Sequence, residues 1–255
     1  ATLLHFGYPP LMARMYTDSG QELTLLLASV KSRGLTVSLD LARPDPASPA
    51  GQADWRTILT AALPSVDIFL PSIDEILFML DRERFDAMES SGDMMEHLHG
   101  PLLARVADDL LAMGTAVVVL KLGDRGLYMK TTSDPERLAA TGAAGLGELP
   151  NWLGRELYAP CYRADVVGTT GSGDCTIAGF LAGVTKQFSA EKALTAGLAV
   201  GACSVESADA TGGIVPWSAV QTRLDAGWDK LDATIDLAGF TPLAPGLYAG
   251  PTDSA

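Results

Sequence analysis

Along this chain the hydrophobic positions switch repeatedly between helical spacing and strand-like runs, and the switching predicts alternating helices and strands. Leu23, Leu26, Leu27 and Val30 fall on one helical face, with Lys31 and Arg33 in the last turn and Gly34 after it. Leu35, Val37, Leu39 and Leu41 then alternate with Thr36, Ser38 and Asp40, a strand whose end delivers Asp40 into a loop. Trp55, Ile58, Leu59 and Ala62 restart a helix, Val66 to Leu70 reads as a short strand, and Pro71-Ser-Ile-Asp-Glu75 opens another helix. Leu98, Leu102, Val106, Leu110 and Met113 predict one long helix over 94–113, closed by Gly114. Thr115 to Leu120 is a β-branched run without alternation, as expected of a strand covered on both faces.

The second half continues the order. Lys121-Leu-Gly-Asp-Arg-Gly126 is a glycine turn between two close strands, and residues 131–155 read as a polar loop or flap. Residues 157–167 return to the sheet. Ala190 to Val205 is a helix rich in small residues, whose Gly197 and Gly201 permit close approach of a neighbour. Val220, Leu224, Trp228 and Leu231 make a final helix, and the proline-containing tail after Gly239 is expected to pack loosely or fray. The pattern predicts an α/β fold of three layers, α/β/α, with a mostly parallel sheet covered by helices on both faces. One domain over 1–239 and a loose tail over 240–255 complete that expectation.

Composition narrows the function. At 255 residues, 47% hydrophobic and 19% charged, the chain can bury a substantial core. With 18 basic and 31 acidic side chains its net charge is −13, which argues against nucleic acid or an anionic membrane as partner. A nucleotide can bind only where local amides and cations outweigh that field. Cys161, Cys175 and Cys203 are odd in number and widely spaced, which suits a reduced cytoplasm rather than a disulfide or zinc framework. His97 and His99 would point roughly 200° apart on a helix and cannot share a metal. No apolar run approaches a membrane span, so a soluble, cytoplasmic protein is expected. The opening Ala-Thr-Leu-Leu-His-Phe already reads like a strand, which suggests that the start of a longer chain is missing.

The most chemically pointed stretch is Gly168-Thr-Thr-Gly-Ser-Gly-Asp174, running directly into Ile177, Phe180, Leu181 and Val184 at helical spacing. A glycine-rich entry lets an anion reach the unpaired N–H groups of the first helical turn, and a phosphate is the natural candidate. Asp174 is out of place beside an anion unless its charge is used, for instance to accept a proton from an attacking hydroxyl. The plainer alternative is that Ser172 or Asp174 merely caps the helix and the glycines form an ordinary turn.

Residues 168–181 resemble the C-terminal signature of the ribokinase-like, or PfkB-type, carbohydrate kinases, D-T-T-G-A-G-D-x-F-x-A-G-F. This chain reads G-T-T-G-S-G-D-C-T-I-A-G-F, with Gly168 for the leading Asp and Ser172 for Ala. The resemblance implies ATP-dependent, magnesium-dependent transfer of the γ-phosphoryl group to a hydroxyl of a sugar or related polyol. It makes Asp174 the general base and Gly171, Ser172 and Gly173 the anion hole. It further places Lys121, Gly123, Gly126 and Thr170 beside the nucleotide, although a solvated strand-end lysine would serve equally at 121. Related kinases carry N-x-x-E where this chain has Ser72-x-x-Glu75, which points to Glu75 as a ligand of magnesium through water. The same spacing is a capping box, and the two roles are compatible. Asp40-Leu-Ala-Arg43 stands where the family has D-x-N-x-R, making Asp40 a candidate for contact with the acceptor. The family's N-terminal portion and lid are expected to be absent from this chain, and a homodimer through that lid is left open.

Two other readings compete. The departures at Gly168, Ser72 and Ala42 allow a ribokinase-like protein that binds nucleotide or sugar without catalysis. A Rossmann dehydrogenase ranks lower, because no G-x-G-x-x-G follows a strand with an acidic residue about 20 positions on.

Overall fold

The computed structural model describes residues 1–254. In chain order, β1 (Leu3–Phe6), α1 (Ala13–Tyr16), α2 (Gln21–Lys31), β2 (Thr36–Leu39), α3 (Trp55–Ala62) and β3 (Ile68–Phe69) come first. They are followed by α4 (Ile73–Leu80), α5 (Arg82–Ser90), α6 (Gly100–Ala112), β4 (Val117–Lys121) and β5 (Leu127–Thr131). The rest is α7 (Pro135–Ala139), β6 (Glu156–Ala159), α8 (Ser172–Thr185), α9 (Ala190–Ser204), α10 (Trp217–Asp225), β7 (Thr241–Ala244) and β8 (Leu247–Ala249).

All eight strands form one sheet in the order β1-β2-β3-β4-β5-β6-β8-β7. Neighbours β1 to β4 pair parallel, and every pairing beyond β4 is antiparallel. Followed through those pairings, β1–β4, β6 and β7 run one way and β5 and β8 the other, so the sheet is mostly parallel as expected. The unalternating β4 run has its physical reason here. Val118 and Leu120 pack into a core with Leu23, Leu27, Ile58 and Leu103 on one face. Val117 and Val119 pack into a second core with Ile177, Phe180 and Leu194 on the other. Strands buried on both faces have no polar side to show. Phe180 is fully buried and meets the Trp152 ring edge-on at 6.1 Å, and truncating such a phenylalanine costs about 3–5 kcal/mol. The small residues of α8 and α9 bring the two helices into contact: a Cβ on Gly179 would lie 2.6 Å from the Ala196 carbonyl oxygen.

The final helix, α10, ends at Asp225 before the left-handed Gly227, so Trp228 and Leu231 lie beyond it rather than on it. Three further expectations are corrected. The stretch 94–113 is a short 3-10 turn, Met94–His97, and then α6, because Pro101 near the helix start has no N–H to continue a preceding turn. His99 caps α6, its Nδ1 accepting from the Leu102 N–H at 3.2 Å. Residues 131–155 are not a free flap. They contain α7, capped by Asp134, and are pinned to the start of β2 where Thr36 Oγ1 donates to the Thr141 carbonyl at 2.6 Å.

The third correction concerns the tail. Residues 241–249 form the hairpin β7–β8 and extend the sheet beside β6. Pro242 is tolerated because β7 is an edge strand and needs no inward N–H. Beyond it, Asp253 accepts from Arg155 Nε at 2.8 Å and from the Glu156 N–H at 2.7 Å. Glu156, fully buried, accepts from the Thr252 N–H at 2.8 Å and from the Tyr128 hydroxyl at 2.8 Å. The buried charges of Arg155, just before β6, and of Glu156, its first residue, require such partners; the segment after β8 supplies them together with Tyr128 and, for Arg155, with Glu191 and the Asn151 carbonyl.

Candidate active site

The C-terminal ends of β1 to β4 lie side by side, which is where open α/β sheets present functional groups. Each delivers one. After β1 the chain reaches Tyr8, after β2 it reaches Asp40, after β3 it reaches Ser72 and Glu75, and β4 ends at Lys121 itself. The first turn of α8 faces this row. Tyr8 donates a short hydrogen bond from its hydroxyl to Asp174 Oδ1. An ideal Cβ on Gly173 would lie 3.9 Å from Lys121 Nζ, so the ammonium stands against the helix entry.

Beneath that contact is a buried cluster of charges. Lys121 Nζ lies 2.7 Å from Asp40 Oδ1, and the Asp40 side chain is 1% exposed. Glu75 and Ser72 form the predicted capping box, with the Ser72 N–H donating to Glu75 Oε2 at 2.7 Å. Burial pushes the Glu75 carboxyl up to about 7, opposed by Lys121 and reinforced by Asp40. Burial likewise raises Asp40 despite the neighbouring ammonium. His5, near the end of β1, is held below its ordinary value by desolvation of its ring and by Lys121, against the pull of Asp174.

A cavity of about 620 Å³ opens beside the helix entry. Its polar end is formed by Ser72, Lys121, Thr169, Ser172 and Gly173, and its apolar end by residues such as Leu127, Tyr162, Leu198 and Val205. The Ser172 N–H lies 3.2 Å from the Thr169 carbonyl oxygen, so one of the three expected anion-hole amides is already engaged. Among the described residues, no acceptor pairs the N–H groups of Gly171, Gly173 and Asp174, which leaves three free donors at the positive end of α8. Asp174 is exposed and stands just beyond this cavity, on the side where Tyr8 meets it.

The remaining expected residues divide between the cavity and its surroundings. Gly123 and Gly126 line the cavity; Thr169 does so in place of the expected Thr170. Gly126 has its own reason to be glycine, since a Cβ there would lie 2.1 Å from the Ala159 carbonyl oxygen. Asp40 points at Lys121 and is not part of the cavity wall. Gly168, where the resemblance leads one to expect Asp, has the Ser207 carbonyl oxygen 3.0 Å and Ala208 Cα 3.1 Å from an ideal Cβ, so a side chain would press on the 205–210 loop. Cys175 is buried with its Sγ 3.3 Å from the Ala210 carbonyl, and burial raises its pKa, which fits a filler rather than a nucleophile. Tyr8 is a site residue that the sequence does not single out. Its signal, Gly7-Tyr-Pro-Pro, reads only as an extended turn.

A model of the pfkB family of carbohydrate kinases matches residues 14–217, most of the chain. The chain belongs to that family. Solved ribokinase-like kinases share its fold. Ribokinase from Arabidopsis thaliana, complexed with ribose and ATP, is 18% identical over 88% of this chain and 56% of its own, with a TM-score of 0.58. Fructokinase from Xylella fastidiosa, with bound ATP, is 16% identical over 89% of this chain and 62% of its own, at a TM-score of 0.60. A ribokinase II candidate from E. coli, in complex with ATP and Mg2+, is 19% identical over 88% of this chain and 59% of its own, at 0.58. No curated protein matches the chain. The chain thus spans about three fifths of the length of these pfkB-type kinases. Among the described residues no helix is long and apolar enough to cross a membrane.

The donor set fits a nucleotide tail and a water-held magnesium ion. Free amides and an ammonium meet at the polar end of the cavity, and an apolar slot extends from it. Among the described residues no cluster of His, Cys, Asp and Glu forms a dedicated metal cage. Magnesium bound with phosphates needs only one or two protein carboxylates. Glu75 has one oxygen engaged by the Ser72 N–H, and no hydrogen bond to its other oxygen is present among the described residues.

Proposed function

We propose that this pfkB-family protein transfers the γ-phosphoryl group of ATP to a hydroxyl of a sugar or related polyol. The single observation that carries the reading is that Asp174 stands on the same helix entry as the free amides, where Gly173 faces Lys121 beside a cavity of nucleotide size. Asp174 takes the proton from the acceptor hydroxyl. The acceptor oxygen forms a bond to the γ-phosphorus, the bond from that phosphorus to the β,γ-bridging oxygen breaks, and ADP leaves with that oxygen. The Gly173 and Asp174 N–H groups and the Lys121 ammonium stand where charge gathers on the transferring oxygens, which is the largest contribution a protein makes to such a reaction. Glu75 would hold the magnesium through water, and the ion would supply charge neutralisation to the phosphates. The neighbours bound to ATP, and in one case to Mg2+, support the choice of nucleotide and ion. Asp40 serves by fixing Lys121, and contact with the acceptor is a second role for it. The three free cysteines support a reducing compartment such as the cytoplasm.

The test is ADP release over a panel of sugars, sugar acids and nucleosides, with Asp174→Asn as comparator. Turnover by the native chain with some acceptor, and a loss of roughly 10²-fold or more in Asp174→Asn with ATP binding retained, is the expected result. Near-normal turnover of the variant removes Asp174 from the chemistry. A thermal shift with ATP but no ADP release with any acceptor favours the binding protein instead.

A further inference from the structure

Among the described residues, Tyr8 is the one side chain that hydrogen-bonds to the carboxylate of Asp174. No other group among them bonds to that side chain, and the Lys121 ammonium is paired with Asp40. An exposed aspartate at a helix start otherwise rotates freely, and a base that must meet one hydroxyl loses rate when its oxygens are unplaced.

The backbone of Tyr8 is unusual in a way that calls for a reason. Its φ of 61° and ψ of 44° are left-handed, a conformation that a bulky residue rarely adopts. Proline at position 9 also disfavours helical values in the residue before it. The next four residues hold the conformation. Pro9 and Pro10 are buried, the Leu11 N–H donates to the Tyr8 carbonyl at 3.0 Å, and the Met12 N–H to the Pro9 carbonyl at 3.0 Å. Non-glycine residues kept in such a region gather at functional sites, where the surrounding structure overdetermines them.

We infer that Tyr8 is a positioning residue for Asp174: its phenol holds one carboxylate oxygen and so turns the other towards the acceptor hydroxyl. The inference rests on the reading of Asp174 as the base. The phenol itself does not react. Its proton stays put because burial, the bond to Asp174 and the charges of Asp174, Asp40 and Glu75 all hold its pKa well above that of an ordinary tyrosine.

The experiment uses the full chain and three variants, Tyr8→Phe, Asp174→Asn and the double variant. Tyr8→Phe should lower kcat roughly tenfold while KM for ATP stays within about twofold, because the nucleotide is held by other groups. In the Asp174→Asn background the same substitution should add nothing. An unchanged kcat overturns the inference, and so does a raised one, which would mean that the phenol blocks the acceptor. A second readout needs neither turnover nor a folded Tyr8→Phe. With 13Cζ-labelled tyrosine in the native chain and in Asp174→Asn, Tyr8 should titrate at lower pH in the variant, burial still holding it above an ordinary phenol; an unmoved Tyr8 overturns the contact. If Asp174→Asn turns over normally, or no acceptor is consumed, the reading of Asp174 as base fails, whereas the tyrosine titration still decides the contact.

Discussion

Lys121 Nζ lies 2.7 Å from Asp40 Oδ1, joining residues 81 positions apart at the floor of the site. The Asp40 side chain is almost wholly buried, so removing its partner leaves a charge with nowhere to go. Lys121→Met should therefore destabilise the fold by about 3–5 kcal/mol in urea unfolding. Adding Asp40→Asn should restore most of that loss, because the orphaned charge is then gone. Neither variant should bind ATP as tightly as the native chain, as isothermal calorimetry would show.

Gly173 offers a cleaner probe of the phosphate end. Its backbone is helical, and the nearest atoms to a methyl placed there are Lys121 Cδ and Nζ at 3.9 Å. Gly173→Ala should keep or slightly raise stability, by up to about 1 kcal/mol, since alanine suits a helix better. If a phosphate approaches these amides, the methyl stands in its way, and the affinity for ATP should fall about tenfold or more. Stability retained together with affinity retained would put the nucleotide tail elsewhere.

Glu75 predicts a specific pH dependence. Its folded value is raised to about 7 from an ordinary carboxylate value. Between about 4.5 and about 7 the folded state thus holds a proton that the unfolded chain has released. Stability from this group is full below the unfolded value and is lost as pH rises through 7. Glu75→Gln, which keeps a carbonyl to accept from the Ser72 N–H, should remove that loss. Compared by urea unfolding, the variant should gain on the native protein between pH 5.5 and pH 8, by at most about 3 kcal/mol. Parallel pH profiles for the two proteins would contradict the assignment.

The C-terminal residues carry weight that their composition hides. Asp253→Ala removes the acceptor of both Arg155 Nε and the Glu156 N–H, and Arg155 is 3% exposed. A loss of about 2–4 kcal/mol is expected in thermal or urea unfolding. Deleting 250–254 should cost more, since Glu156 then loses Thr252 as well.

The layers are legible because burial on both faces leaves a direct mark, as in the unbroken Val117–Leu120 run, and because the α8 entry announces itself through glycine and threonine. Glu75 is legible as a cap, since a capping box is a local pattern. What the sequence hides are the pairings between distant segments. Nothing near Lys121 names Asp40 as its partner, and nothing near Arg155 names Asp253. Tyr8 escapes for a different reason: a residue before proline is expected to be extended, and only the packed structure holds it left-handed. Leu98-His-Gly-Pro101 reads as helix because its apolar spacing is helical, although Pro101 sets a boundary there.

The placing of β8 and β7 at the far side of β6 orders events during synthesis. The site-bearing strands β1 to β4 leave the ribosome early, but Arg155 and Glu156 gain Asp253 and Thr252 only once residues 250–254 have emerged. A nascent chain stalled before residue 241 would leave β6 without its β8 neighbour and Arg155 and Glu156 without Asp253 and Thr252. Completion of this fold therefore depends on a segment remote from the ends of β1 to β4.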